Sequence, residues 1–261
     1  MILECLDRGD GPVVVLLHGF PFDRSLWDEQ VDALSGPYRV IVPDLRGHGT
    51  SAVVPGVATV EAMAADVLET LNDRGVQGQV VLGGLSMGGY VALALAVDHP
   101  ARLRGLMLIN SRAAADTPLT REVRATLVEK VLADGHPGAV VETMLPKLFA
   151  PGRFETRGPE VAAIEAVMRR SPVEGVAAAL RGLAARPDRT ADLPRIALPT
   201  LVVAGTDDQL IPLAESRAMA ESVPGARFIA VNGAGHLAPL ERPIEVNQAI
   251  GDFLASLGPA S

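Results

Sequence analysis

The sequence predicts an α/β protein: a mostly parallel sheet of about seven strands, flanked by helices and interrupted by one helical insertion. Three observations predict it. Short, unbroken runs of Val, Ile and Leu alternate with longer segments of helical periodicity. The alternation stops near residue 111, gives way to helices alone, and resumes near residue 200. Finally, a Gly-x-Ser-x-Gly pentapeptide sits where one apolar run passes into a helix.

Val13-Val14-Val15-Leu16-Leu17 is apolar throughout, as in a strand covered on both faces. Ser25-Leu26-Trp27-Asp28 reads as a capping box opening a helix through Leu34. Residues 38–42 form the next strand, closed by Pro43. Val60, Met63, Ala64, Val67, Leu68 and Leu71 keep helical spacing, and Gly75 ends that helix. A strand over 79–83 and a buried helix from Tyr90 flank the pentapeptide, and a further strand covers 105–109.

From Leu119 to about Ala185 the pattern predicts three or four helices and no strand. Val123, Leu127 and Val131 form one apolar stripe. Val140, Met144, Leu145 and Leu148 form a second, bent at Pro146. Val161, Ile164, Val167 and Met168 form a third, and Ser171-Pro172-Val173-Glu174 reads as a capped helix start. Strands return at 200–204 and 227–231, and Ile250, Phe253, Leu254 and Leu257 mark a final helix. The expected organisation is a core of residues 1–115 and 186–261 with residues 116–185 inserted into it.

Composition narrows the class of function. A chain of 261 residues with 48% hydrophobic content can bury a sizeable core. Its net charge of -8 argues against a nucleic-acid surface. No apolar stretch reaches the roughly 18 residues of a membrane span, and the N-terminus has neither a basic nor a long apolar leader region. The single cysteine, Cys5, excludes an internal disulfide and speaks against a cysteine-based metal cluster. These features predict a soluble, cytoplasmic protein without nucleic-acid or membrane partners; oligomeric state is not read from them.

The chemistry centres on Gly84-Leu85-Ser86-Met87-Gly88. A strand turning into a helix within a few residues strains the serine and holds its hydroxyl in the open, while small residues on either side let the backbone pass. A serine hydroxyl needs a base, and the base needs an orienting acid. Of the later histidines, His99 lies at the far end of the nucleophile helix and His136 lies in a turn of the insertion. His236 follows a strand in a glycine-rich loop and is the candidate base. Asp207 and Asp208 both follow the strand between, and the residues alone do not choose between them. Strand 13–17 ends in His18-Gly19-Phe20-Pro21, whose backbone can pair with the N–H of Met87 as an oxyanion hole. His18, Arg46 and His48 read as residues that fix loops. A metal site built from His18, His48 and His236 lacks ligand spacing to support it.

His18-Gly19-Phe20, Pro43-Asp44-Leu45-Arg46-Gly47-His48-Gly49, Gly84-Leu85-Ser86-Met87-Gly88-Gly89, Gly205-Thr206-Asp207-Asp208 and Gly235-His236 resemble successive motifs of the α/β-hydrolase superfamily. They run from residue 13 to the C-terminus. Gly19-Phe20-Pro21-Phe22-Asp23, the Tyr90 that follows the elbow and Gly175-Val176-Ala177-Ala178-Ala179 resemble bacterial carboxylesterases near the 3-oxoadipate enol-lactonases and haloperoxidase-like esterases. The resemblance implies Ser86 as nucleophile, His236 as base, Asp208 rather than Asp207 as acid, Phe20 and Met87 as oxyanion donors, and 116–185 as a helical cap. It implies a serine carboxylesterase of short to medium esters, working through an acyl-enzyme on a small-molecule ester without a cofactor or metal. Lactone hydrolysis and a ligand-binding signalling role with little turnover are the alternatives. Full family members open with a hairpin for which only residues 2–6 are available here, so the resemblance implies one short first strand, seven strands in all, and a shortened sheet edge far from the site. For the substrate pocket, Trp27, Met144, Leu145, Leu148, Phe149 and Met168 are the expected lining.

Overall fold

The computed structural model describes residues 1–156 and 158–258. Its strands are β1 (Cys5–Arg8), β2 (Val13–Leu17), β3 (Arg39–Pro43), β4 (Val80–Leu85), β5 (Leu103–Ile109), β6 (Thr200–Gly205) and β7 (Arg227–Val231). They form one seven-stranded sheet in the order β1-β3-β2-β4-β5-β6-β7. Only β1 is antiparallel to its neighbour, with Cys5 opposite Pro43; the remaining pairings are parallel. The central strands β4 and β6 are buried along their whole length. This is the burial that continuous apolar runs demand, because helices must cover both faces of a parallel sheet.

The covering helices are α1 (Asp28–Leu34), α2 (Val60–Asp73) and α3 (Met87–Asp98), then α4 (Pro118–Asp134), α5 (Gly138–Leu148), α6 (Pro151–Glu155), α7 (Pro159–Arg170) and α8 (Val173–Ala185), and last α9 (Leu213–Ser222), α10 (Ala238–Glu241) and α11 (Pro243–Ser256). Helix α3 is buried on nearly every side and packs on β4, β5 and α2, which explains its uniformly apolar sequence. Helix α11 packs on α1, β6 and β7. The five helices α4 to α8 all fall between β5 and β6, which are adjacent in the sheet. They pack on one another, α4 against α8 and α5, and α5 against α6 and α7.

The structure differs from the sequence reading at four places. The first strand begins at Cys5, later than residue 2, because Leu3 is drawn into the core and its N–H bonds the Thr70 hydroxyl. The helix near Trp27 is capped by Asp23, whose carboxylate takes the Ser25 N–H at 3.0 Å, so a 3-10 turn precedes α1. Ser171 does not cap α8; its hydroxyl donates to the Pro21 carbonyl at 2.8 Å instead. Helices α6, α9 and α10 have no counterpart in the sequence reading: α6 and α10 have only five and four residues, and α9 buries just Ser216, Met219 and Ala220, so none shows a wide apolar stripe.

Candidate catalytic site

Ser86 stands between β4 and α3 with φ 51° and ψ −113°, a positive-φ conformation outside the αL well that residues other than glycine rarely adopt. Such a geometry costs on the order of 1–3 kcal/mol and persists only where surroundings impose it. They do so here. The Ser86 N–H bonds the Ile109 carbonyl at 3.0 Å, and its carbonyl accepts from the Ser111 hydroxyl at 3.0 Å. A Cβ at Gly84 would stand 2.1 Å from the Gly88 carbonyl, and one at Gly88 would stand 2.2 Å from the Leu17 carbonyl oxygen. Both glycines are therefore dictated by the sharp turn. Ser86 sits at the N-terminus of α3, where unpaired backbone N–H groups, Met87's among them, favour negative charge.

His236 and Asp208 meet from separate loops. The His236 imidazole Nδ1 donates to Asp208 Oδ2 at 2.9 Å, with both side chains nearly inaccessible at 2% and 1%. Asp208 Oδ2 also accepts from Asn110 Nδ2 at 2.8 Å, and Oδ1 accepts the N–H groups of Leu210 at 2.8 Å and Ile211 at 3.0 Å. Burial pushes the Asp208 carboxyl up, but His236, Asn110 and the Ile211 amide outweigh it and hold the group below its ordinary 3.8. Asp207 is exposed, and among the described residues its carboxylate meets only the Thr206 hydroxyl, at 3.3 Å. The geometry thus separates two neighbours that the residues alone left level.

The loop after β2 is rigidly held. His18 Nε2 accepts the Leu45 N–H at 2.9 Å, which leaves the proton on Nδ1 to bond the Gly19 carbonyl at 2.8 Å. His48 Nδ1 bonds the Arg46 carbonyl at 3.0 Å, and its ring lies 5.3 Å from that of His18. Burial drives both imidazoles down, His48 to about 3, so both are neutral. Arg46 makes a two-pronged pair with Asp66. With both ring nitrogens engaged, His18 serves loop geometry.

Ser86, His236, Phe20 and Met87 border one cavity of about 350 Å³. It opens at the C-terminal ends of the strands, where open α/β sheets place their ligands. A larger cavity of about 930 Å³ lies at the opposite ends of the strands, beside Arg104, Thr200 and Arg227, and touches none of these groups.

Of the expected pocket residues the structure brings only Met144 to the cavity beside Ser86. Leu145, Leu148, Phe149 and Met168 are buried in the packing of the insertion. Trp27 is fully buried, and its turn packs between β3 and α10. These five are corrections to the sequence reading: an apolar residue in an amphipathic helix is drawn first to the helix–helix seam. The apolar wall comes instead from Leu119, Val123 and Leu127 of α4, two of them members of that helix's stripe, and from Leu180 and Leu183 of α8.

Polar residues of the wall and its support were also missed. Arg112, Arg124 and Lys147 line the cavity, and Asn110, with φ 44°, closes the Asp208 network. The signal for Asn110 was available, since an Asn-Ser pair directly after a buried strand ends at the same sheet edge as the elbow.

The sequence matches the alpha/beta hydrolase fold family over residues 12–243. A thermophilic esterase from Thermogutta terrifontis, solved with malate bound, superposes with a TM-score of 0.95 at 45% identity, covering 98% of this chain and 93% of that one. The 3-oxoadipate enol-lactonase 1 of Acinetobacter baylyi is 30% identical over 95% of this chain and 90% of its own. RutD of Stutzerimonas stutzeri, provisionally described as a carbamate hydrolase, is 31% identical over 94% of this chain and 92% of its own. No described helix is long and apolar enough to cross a membrane.

Proposed function

The chain belongs to the alpha/beta hydrolase fold family, and from that premise we propose that it is a serine carboxylesterase of small esters. The observation that carries the proposal is the 2.9 Å contact of His236 with Asp208, bordering one cavity with a strained serine at a helix N-terminus. In this reading His236 Nε2 takes the Ser86 proton as the oxygen attacks the ester carbonyl. Asp208 keeps the Nδ1–H tautomer in place and stabilises the imidazolium. The N–H groups of Phe20 and Met87 receive the oxyanion, a donor of this kind being worth roughly 3 kcal/mol. The alcohol leaves with the proton, and water repeats the sequence to free the acid. Helices α4 to α8 act as the cap over the cavity.

Lactone opening is the second reading, favoured by the likeness to an enol-lactonase. It needs the same groups, so a substrate panel separates the two. Aryl esters of rising acyl length and a series of lactones are assayed side by side, with phosphonate labelling to locate the reactive serine. A cavity of about 350 Å³ fits acyl groups from acetate to hexanoate, each methylene adding about 0.8 kcal/mol until the space is filled. Highest activity on chains of twelve or more carbons would overturn this pocket. Steady turnover would set aside a purely ligand-binding role.

The cavity wall adds a second expectation. It carries Arg112, Arg124 and Lys147, and no carboxylate among its lining residues, in a chain of net charge -8. Asp116 beneath offsets this in part, being shared by Arg112, Arg124 and Arg186. Aryl half-esters of short dicarboxylic acids are expected to be cleaved roughly tenfold better than neutral esters of equal length, with the advantage fading as salt screens it. Lys147→Gln should shrink that advantage. Equal rates for both substrates at low salt would refute it.

A further inference from the structure

We infer that Glu241 is a positioning residue for His236: it clamps the loop carrying the base to the Leu148–Ala150 segment of the insertion, so the seating of the insertion sets where the imidazole stands. This rests on the reading of His236 as the base.

Glu241 ends the short helix that follows His236 and is 4% exposed. Its carboxylate spans two chains. Oε1 accepts the Gly235 N–H at 2.7 Å, and Oε2 accepts the Ala150 N–H at 2.9 Å. Gly235 directly precedes the base. Leu237 directly follows it, and its N–H donates to the Leu148 carbonyl at 3.0 Å. Between those two, the Phe149 carbonyl accepts from Gln209 Nε2 at 3.2 Å, and Gln209 adjoins Asp208. Three consecutive residues of the insertion thus each hold a residue connected to the acid or the base. The approach is close: a Cβ at Gly235 would lie 2.4 Å from the Ala150 nitrogen.

A carboxylate suits the task because both contacts are backbone donors and the two oxygens can serve one each. Burying it carries a desolvation penalty that an apolar residue of the same size would avoid, so packing alone does not account for a glutamate here. The segment it grips also continues from α5, whose Thr143, Met144 and Lys147 border the cavity. Anything that moves this helix against a substrate is passed through residues 148–150 to both catalytic loops.

Glu241→Gln tests the clamp. The amide keeps the shape but turns an NH₂ group toward one of two backbone N–H groups, so one chain is released. Expected on a short aryl ester is a fall in kcat of roughly a hundredfold, since displacement of about 1 Å at a reacting group costs that much. KM should change less than threefold. The downfield proton resonance of the His236–Asp208 hydrogen bond should move or broaden in Glu241→Gln and stay in place in Asp207→Asn. Glu241→Asp, charged but too short to span both amides, should behave like the glutamine variant. A lower melting temperature with kcat and that resonance unchanged would reduce Glu241 to a structural role and overturn the inference. Amide exchange on the unmodified protein covers the case in which the variants do not fold: the Ala150 and Gly235 amides should open together, and unequal protection refutes the clamp. If Ser86→Ala keeps full activity, the catalytic assignment fails by itself, while the resonance and exchange results still judge the clamp.

Discussion

Ser86→Ala is expected to lower kcat on an aryl ester by about 10⁴–10⁶-fold while leaving the fold and melting temperature near those of the parent. The side chain contributes the only atom that would attack, and nothing in the backbone turn depends on its hydroxyl. Ser86 is held through its N–H to Ile109 and its carbonyl to Ser111, both of which alanine keeps. Alanine also keeps the Cβ, so the strain of φ 51° remains. Glycine at the same position would relieve that strain, and Ser86→Gly should be equally inactive yet no less stable, the relief offsetting the entropy cost of glycine. Purified Ser86→Ala that retains rates within tenfold of the parent, with no phosphonate bound to the parent serine, would remove Ser86 from the chemistry. Loss of the far-ultraviolet spectrum in the variant would show a role in folding in its place.

Much of this architecture was legible because it is written in local patterns of large amplitude. Apolar runs mark β2 to β7 within two residues at each end. A parallel strand buried on both faces, as β4 and β6 are, has no polar position to hide, while the edge strand β7 is largely exposed and shows by its Phe, Ile and Val. The elbow was legible for the same reason: Gly84 and Gly88 are forced by contacts with Gly88 and Leu17 that no larger residue survives. What stayed hidden depends on contacts between segments distant in sequence. Periodicity shows which residues of α5 and α7 are apolar, but not which seam each one enters. Met144 and Leu145 are adjacent, yet one borders the cavity and the other is buried. Arg112 and Arg124 look like solvated charges in sequence, and it is the shared buried partner Asp116, with Glu215 for Arg112, that places them. Glu241 is an acid five residues after a histidine, and its function shows only when Ala150 arrives from the insertion. The difference between Asp207 and Asp208 has partly the same origin: Asn110 and His236 come to Asp208 from distant segments, beside the Leu210 and Ile211 amides of the acid loop itself.

Asp208→Asn is expected to lower kcat by roughly 10⁴-fold, and Asp207→Asn by less than about tenfold, with the imidazole tautomer as the cause. The four contacts of Asp208 all come from donors: Leu210 and Ile211 amides on Oδ1, Asn110 and His236 on Oδ2. An asparagine has one acceptor oxygen and one NH₂ group to offer them. If its oxygen faces the backbone amides, the NH₂ faces His236 Nδ1, which must then accept, moving the ring proton to Nε2 where it blocks attack by Ser86. If its oxygen faces His236, the NH₂ meets two backbone N–H groups and the 208–211 turn is pushed apart. Either orientation leaves buried donors opposed, at a stability cost of about 1–3 kcal/mol. Asp207 presents no such conflict, being exposed with a single long contact. The pH dependence of stability gives a second readout. Asp208 is held below its ordinary 3.8 in the folded protein, so the unfolded chain takes up its proton first. Its contribution is present in full above about pH 4 and is lost as pH falls through the folded value. Urea midpoints between pH 3 and pH 6 should therefore fall less steeply toward acid in Asp208→Asn than in the parent. Greater loss of activity in Asp207→Asn than in Asp208→Asn would transfer the orienting role to Asp207 and undo the assignment of the hydrogen-bonded pair.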